Sequence, residues 1–234
     1  MVLGGFQKLT LIDYPGKVAT TVFTVGCSFR CPFCHNPELV ISSQFGVHGN
    51  NIEKDFFEFL KKRKGKLEGV CITGGEPTIQ SDLAGFIKKI RNLGYFVKLD
   101  TNGSRPDVLR KIISDRTVDF IAMDIKNSLK KYKKTSGGRA DLERIKLSVD
   151  MIRNSRIPYE FRTTVVPGIH EEKDFDEISR WIKGADSYYL QEYREIKILD
   201  PNLKKTTKGK KIDLEKIGKK IGKNFKKFGI RSSL

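Results

Sequence analysis

The chain has 234 residues, of which 38% are hydrophobic and 31% charged, and 45 Lys and Arg against 28 Asp and Glu give a formal net charge of +17. This composition excludes a collagen-like fibre, a channel built of apolar spans and a disordered acidic tail, and the length suits one large domain or two small ones. No apolar run approaches the roughly 20 residues of a bilayer-crossing helix, and Met1-Val2-Leu3-Gly4-Gly5 lacks a basic then apolar leader, so no membrane attachment and a cytoplasmic location are expected.

In chain order, short apolar runs alternate with longer stretches whose apolar residues recur at helical spacing. Strands are predicted over Val18 to Val25, Gly69 to Thr73, Tyr95 to Asp100, Val118 to Ile125, Pro158 to Val166 and Ser187 to Glu192. Helices are predicted over Ile52 to Lys64, Asp82 to Leu93, Pro106 to Asp115, Asp141 to Asn154, Asp174 to Lys183 and Asp213 to Lys227. Asp82, Asp141 and Asp213 suit N-caps, and Pro106 suits a first helical turn. Two segments, Lys126 to Gly138 and Asp200 to Lys211, read as loops, the second as a flexible link.

Parallel strands need crossovers, so this alternation predicts an α/β fold with a helix-covered parallel sheet. A closed eight-unit barrel takes about 250 residues, and six units with a short N-terminal extension suggest a partial (βα)6 barrel of the TIM type; a doubly wound open sheet is the competitor. Either architecture puts a ligand site at the carboxyl ends of the strands. Residues 1–199 are expected to form the core. Residues 200–234 should add a basic linker and a C-terminal helix that docks through Ile217, Ile221, Phe225 and Phe228, with Lys216, Lys219, Lys220 and Lys223 outward.

Eleven lysines fall between Lys204 and Lys227 against only Asp213 and Glu215, and a second basic run holds Lys126, Lys130, Lys131, Lys133 and Lys134. A solvated lysine surface accounts for this better than nucleic-acid binding, which usually interleaves Arg and aromatics; the tail offers only Phe225 and Phe228.

The sharpest signal is Cys27-Ser-Phe-Arg-Cys31-Pro-Phe-Cys34, on a loop leaving the first predicted strand. Three soft thiolates with no obvious fourth suit zinc with a borrowed ligand such as His35, or an iron-sulfur cubane with one iron left free. Cys31-Pro-Phe-Cys34-His35 also satisfies the c-type haem pattern, but that chemistry belongs to exported proteins. The fourth cysteine, Cys71, lies in an apolar strand and reads as packing.

With Phe33 before the third cysteine, this spacing resembles the signature of the radical S-adenosylmethionine superfamily. The resemblance continues at Gly74-Gly75-Glu76-Pro77 after the second strand. Asp100-Thr101-Asn102-Gly103, Asp124-Ile125-Lys126 and Arg162-Thr163-Thr164 look like blocks of the glycyl-radical enzyme activating enzymes. Leu11-Ile12-Asp13-Tyr14-Pro15-Gly16-Lys17 and Cys34-His35-Asn36-Pro37-Glu38 resemble the activating proteins of anaerobic ribonucleoside-triphosphate reductase.

The resemblance implies a [4Fe-4S] cluster on Cys27, Cys31 and Cys34 and S-adenosylmethionine against Phe33, Gly74, Gly75, Glu76, Asp100, Thr101, Asn102, Asp124, Lys126 and Arg162. Glu76 would meet its amino group and Arg162 its carboxylate, with room for a monovalent cation near the acids. It further implies reductive cleavage to a 5′-deoxyadenosyl radical, an electron donor such as flavodoxin or ferredoxin, and a glycyl-radical enzyme as partner, the anaerobic reductase first. No catalytic side chain beyond cluster and cofactor is expected. Leu190-Gln191-Glu192-Tyr193-Arg194 departs from the histidine that some activating enzymes carry there. A radical enzyme acting on a small molecule or RNA, and a non-catalytic iron-sulfur or zinc module, are the other function classes.

Overall fold

A computed structural model of the chain describes residues 1–40, 49–194 and 196–232. Eight strands form one sheet in sequential order: β1 (Leu3–Thr10), β2 (Ala19–Thr24), β3 (Gly69–Gly74), β4 (Phe96–Thr101), β5 (Phe120–Asp124), β6 (Tyr159–Val165), β7 (Ser187–Glu192) and β8 (Lys227–Arg231). β1 runs antiparallel to β2, and every later neighbour is parallel. The helices are α1 (Pro37–Val40), α2 (Gly49–Lys62), α3 (Leu83–Asn92), α4 (Pro106–Ser114), α5 (Leu129–Thr135), α6 (Leu142–Arg153), α7 (Glu172–Trp181), α8 (Leu203–Thr207) and α9 (Leu214–Ile221). The six predicted strands are β2 to β7, and the fold is the expected partial barrel of parallel strands under a helical layer, lengthened at each edge by one strand.

Local chemistry explains most boundaries. Asp141 caps α6 by accepting from the Glu143 and Arg144 backbone N–H groups, Asp213 caps α9 through Lys216 N–H, and Pro106 opens α4. Asp82 makes no side-chain cap bond on α3; its carboxylate accepts instead from the Met1 amino group at 2.5 Å. Outward-facing side chains of the sheet meet the apolar faces of the helices, and Phe56, Leu60, Phe86, Ile87, Ile90, Val97 and Leu99 are all essentially buried there. Full burial stabilises each such side chain by roughly 1.5–3 kcal/mol.

The C-terminal expectation needs correction. The helix predicted over Asp213 to Lys227 stops at Ile221; a 3-10 turn over Gly222–Asn224 follows, and the chain then pairs with β7 as β8. Ile217, Ile221 and Phe225 are buried as expected, but Phe228 belongs to a strand and packs beside Tyr188 and Phe225. The two expected loops also contain helices: α5 buries Tyr132, and α8 buries Leu203 and Thr207. Among the described residues no helix is long and apolar enough to cross a membrane.

Candidate functional site at the carboxyl ends of the strands

The loop after β2 is tied down along its length. Gly26 N–H donates to Leu39 O at 2.6 Å and Arg30 N–H to Ser136 O at 3.0 Å, while the Arg30 guanidinium donates to Cys27 O and Phe29 O at 2.7 and 2.8 Å. Phe29 and Phe33 are buried beneath it. Cys27, Cys31 and Cys34 line one cavity of about 190 Å³. Phe29 N–H and the Asn102 amide reach the Cys27 sulfur at 3.4 and 3.6 Å, donors suited to a thiolate. Burial pushes the Cys27 thiol up to about 12 and the Cys31 thiol up to about 11, and it raises Cys34 as well. Left to themselves these thiols stay protonated at neutral pH, so uptake of a metal centre releases protons.

Among the described residues no three Cys, His, Asp or Glu side chains gather closely enough to hold a single metal ion. His35 lines the cavity, but its Nε2 lies 2.9 Å from Arg194 O and its ring stacks on Tyr193 at 5.7 Å. Three soft thiols lining one cavity suit an iron-sulfur cluster held at three corners, or zinc completed by a further ligand.

The exit of β3 passes against the cluster loop. Gly74 has φ +115°, and a Cβ there would lie 2.3 Å from Thr24 N; a Cβ on Gly75 would lie 2.0 Å from Gly26 O. Only glycines allow this approach, which is sealed by Gly75 N–H to Thr24 O and Glu76 N–H to Gly26 O, both at 2.8 Å. Glu76 is buried, and its Oε1 accepts from Thr78 N–H at 3.1 Å, from the Thr78 hydroxyl and from the Thr101 hydroxyl at 2.7 Å, while Oε2 accepts from Asn102 N–H at 2.6 Å. Burial raises the carboxyl pKa against the pull of these donors. Glu76 thus locks β3 to the end of β4, a structural task that the sequence did not reveal.

Beyond Glu76 the inner face of the barrel carries a row of alternating charge. Arg162 on β6 stands between two acids, Nη1 3.1 Å from Asp100 Oδ2 and Nε 3.0 Å from Asp124 Oδ1. Lys98 pairs with the other oxygen of Asp100, and Lys126 with the other oxygen of Asp124 at 2.9 Å. Burial alone would raise both carboxyls, but Arg162 with Lys98 holds Asp100 below the usual carboxylate range, and Lys126 with Arg162 does the same for Asp124. All four carboxylate oxygens are engaged by this chain's own cations, so a monovalent cation between the acids would have to displace one of them.

All thirteen residues singled out from the sequence, namely the three cysteines, Phe33, Gly74, Gly75, Glu76, Asp100, Thr101, Asn102, Asp124, Lys126 and Arg162, line this one cavity. Sequence reasoning missed Lys98, which is wholly buried, and Glu160 deeper on β6. A signal existed: Lys98 precedes Asp100 by two residues, as Glu160 precedes Arg162, and strand alternation puts such pairs on one face. The cavity walls offer thiols on one side and, on the other, oxygens and cations that can grip a ligand bearing both charges.

Residues 21–182 match the Radical SAM superfamily. The chain is 32% identical over 229 residues to a Methanocaldococcus jannaschii protein provisionally named a glycyl-radical enzyme activating enzyme, covering 96% of this chain and 92% of that one. It is 31% identical over 150 residues to the pyruvate formate-lyase-activating enzyme of Listeria monocytogenes, covering 58% of each. The solved structure of Streptococcus suis SuiB bound to S-adenosylmethionine superposes with a TM-score of 0.63 at 15% identity, a likeness of fold over 90% of this chain and 49% of that one. The chain therefore spans about half the length of that solved relative. A signature loop and a cavity lining that both fall within the matched segment lead to one assignment: the chain belongs to the radical S-adenosylmethionine superfamily, whose members are enzymes that use a [4Fe-4S] cluster and S-adenosylmethionine.

Proposed function

We propose that this protein holds a [4Fe-4S] cluster on Cys27, Cys31 and Cys34, binds S-adenosylmethionine beside it, and generates a glycyl radical on a partner enzyme, with anaerobic ribonucleoside-triphosphate reductase the first candidate. The reading is carried by one observation: three thiols and the charged row of Asp100, Arg162, Asp124 and Lys126 face a single cavity at the carboxyl ends of the strands. The activating-enzyme names of two relatives favour the glycyl-radical branch over a small-molecule or RNA substrate.

Cys27, Cys31 and Cys34 would hold the cluster, and the chemistry it would supply when reduced is one electron for cleavage of a carbon–sulfur bond of S-adenosylmethionine, giving methionine and a 5′-deoxyadenosyl radical. The chain's own residues bind, orient and enclose. Arg162 would receive the ligand carboxylate, and Glu76, whose Oε2 accepts a single backbone N–H, would receive the ammonium group. Gly74 and Gly75 let the β3 backbone approach closely, and buried Phe29 and Phe33 keep water from the cluster side. Hydrogen moves as an atom, so no side chain has to accept a proton. The parts named here lie within residues 1–199, with 200–234 a basic segment that adds α8, α9 and the edge strand β8, and the electron is assigned to a small carrier such as flavodoxin or ferredoxin.

The test is anaerobic reconstitution followed by dithionite and S-adenosylmethionine. The expected result is 5′-deoxyadenosine, and with added reductase an organic radical doublet that disappears when the radical-bearing glycine of the reductase is replaced. A cluster-loaded protein that never cleaves the cofactor overturns the enzymatic reading. Cleavage without a radical on any glycyl-radical enzyme overturns the partner.

A further inference from the structure

Arg231 on β8, beyond the segment matched by the superfamily, reaches Glu160 at the edge of the charged row. Its guanidinium forks onto Glu160, Nη1 3.0 Å from Oε1 and Nη2 2.7 Å from Oε2, and lies 3.9 Å over the Tyr189 ring. Glu160 is only 2% exposed and sits two residues before Arg162 on the inner face of β6, with Arg162 Nη1 3.8 Å from its Oε1. One buried carboxylate therefore lies between two guanidinium groups. Arg231 takes both of its oxygens at hydrogen-bond distance, and Arg162 takes neither.

We propose that Arg231 is a positioning residue for the cofactor site: by saturating Glu160 it leaves Arg162 free for Asp100, Asp124 and the carboxylate of the bound ligand. The proposal rests on the reading that Arg162 meets that carboxylate. Two physical arguments support it. A buried carboxylate that loses its partner takes the nearest cation, and a shift of about 1 Å brings Arg162 from its present separation to a hydrogen bond with Glu160. That shift draws Arg162 down the barrel, away from Asp100 and Asp124, which it now meets at 3.1 and 3.0 Å. Charge balance acts in the same direction. Within the row, Lys98, Lys126, Arg162 and Arg231 face Asp100, Asp124 and Glu160, four cations against three carboxylates, while Glu76 stands apart on the neutral donors of Thr78, Thr101 and Asn102 and is the acid assigned to the ligand's ammonium group; the row therefore keeps one positive charge for the ligand's carboxylate. Without Arg231 the count is three against three, and the ligand carboxylate competes for a cation already matched.

The test compares R231Q, R231K and the double variant R231Q/E160Q with the wild type, all cluster-loaded, by equilibrium dialysis of S-adenosylmethionine. Iron content, the electron paramagnetic resonance spectrum of the reduced cluster with and without cofactor, and thermal melting are followed in parallel. Iron content and the cofactor-free spectrum should stay unchanged in every variant. R231Q should weaken binding about tenfold and shrink the cofactor-induced spectral change, and R231K, which keeps the charge but loses the fork, should weaken it about threefold. The double variant removes the competing carboxylate as well and should bind more tightly than R231K, within about twofold of wild type. Where R231Q proves too unstable to isolate, the order of R231K and the double variant decides: a double variant that binds more weakly than R231K overturns the proposal. So does R231Q binding like wild type, or affinity that follows melting temperature across the set. A wild-type protein that loads its cluster but takes up no cofactor overturns the functional reading itself and this coupling with it, and is recognised because no variant then has binding to lose.

Discussion

Replacing Arg162 by Met removes a buried cation that two acids share and leaves a side chain of similar length. Asp100 and Asp124 lose contacts at 3.1 and 3.0 Å, and Glu160 loses a neighbour at 3.8 Å but keeps Arg231. Breaking a buried pair by removing one partner costs about 3–5 kcal/mol. Lys98 and Lys126 still face the two acids, which puts this case near the lower bound, about 3 kcal/mol. For a chain of this size that corresponds to a fall in Tm of roughly 6–12 °C. The assay is urea unfolding of the cluster-free chain by circular dichroism, at pH 7 and at pH 3.5. The sign of the pH effect follows from the depressed carboxyls of Asp100 and Asp124. Their stabilisation is fully present above the unfolded carboxylate value of about 4 and is lost as pH falls through the lower folded values. Arg162 is a main cause of that depression, so the gap between wild type and R162M should be widest at pH 7 and narrow in acid. A variant within about 1 kcal/mol of wild type at pH 7, or a gap that widens at pH 3.5, refutes the reasoning.

Substituting Ala for Cys27, Cys31 or Cys34 should abolish iron retention after anaerobic reconstitution and gel filtration, whereas C71A, a wholly buried site in β3, should retain iron at a cost of about 1–2 kcal/mol of stability measured by urea unfolding. G75A places a methyl 2.0 Å from Gly26 O, so the cluster loop must move; cofactor affinity measured by dialysis should fall by at least about tenfold, and an unchanged affinity would contradict the close approach. The Tyr14 hydroxyl is buried with no hydrogen-bond partner among the described residues, so Y14F should be neutral or stabilising by up to about 2 kcal/mol in chemical denaturation.

Much of the site was legible because it is local. The spacing of Cys27, Cys31 and Cys34, the glycine pair before Glu76, and the two-residue offset of Asp124 and Lys126 follow from one loop, one turn and one strand edge, and alternation of strands and helices was enough to predict the parallel sheet. Alternation along a strand tells which face a residue occupies, but not which residue of the next strand stands level with it. Arg162 lies between Asp100 and Asp124, 62 and 38 positions away, only because the crossovers set the register of β4, β5 and β6. The same holds for Glu76, whose carboxylate is claimed by Thr101 and Asn102, and for Lys98, which strand alternation puts on the face of Asp100 but whose complete burial depends on the assembled sheet. At the C-terminus, Phe225 and Phe228 fit a helical period, yet the chain turns at Gly222 and pairs with β7, because an open sheet edge offers Lys227–Arg231 both backbone partners and an apolar cover for Phe228. Local spacing therefore pointed to the groups that the fold brings to one cavity. The contacts among their charges depend on strand register, which arises only when the whole barrel is assembled.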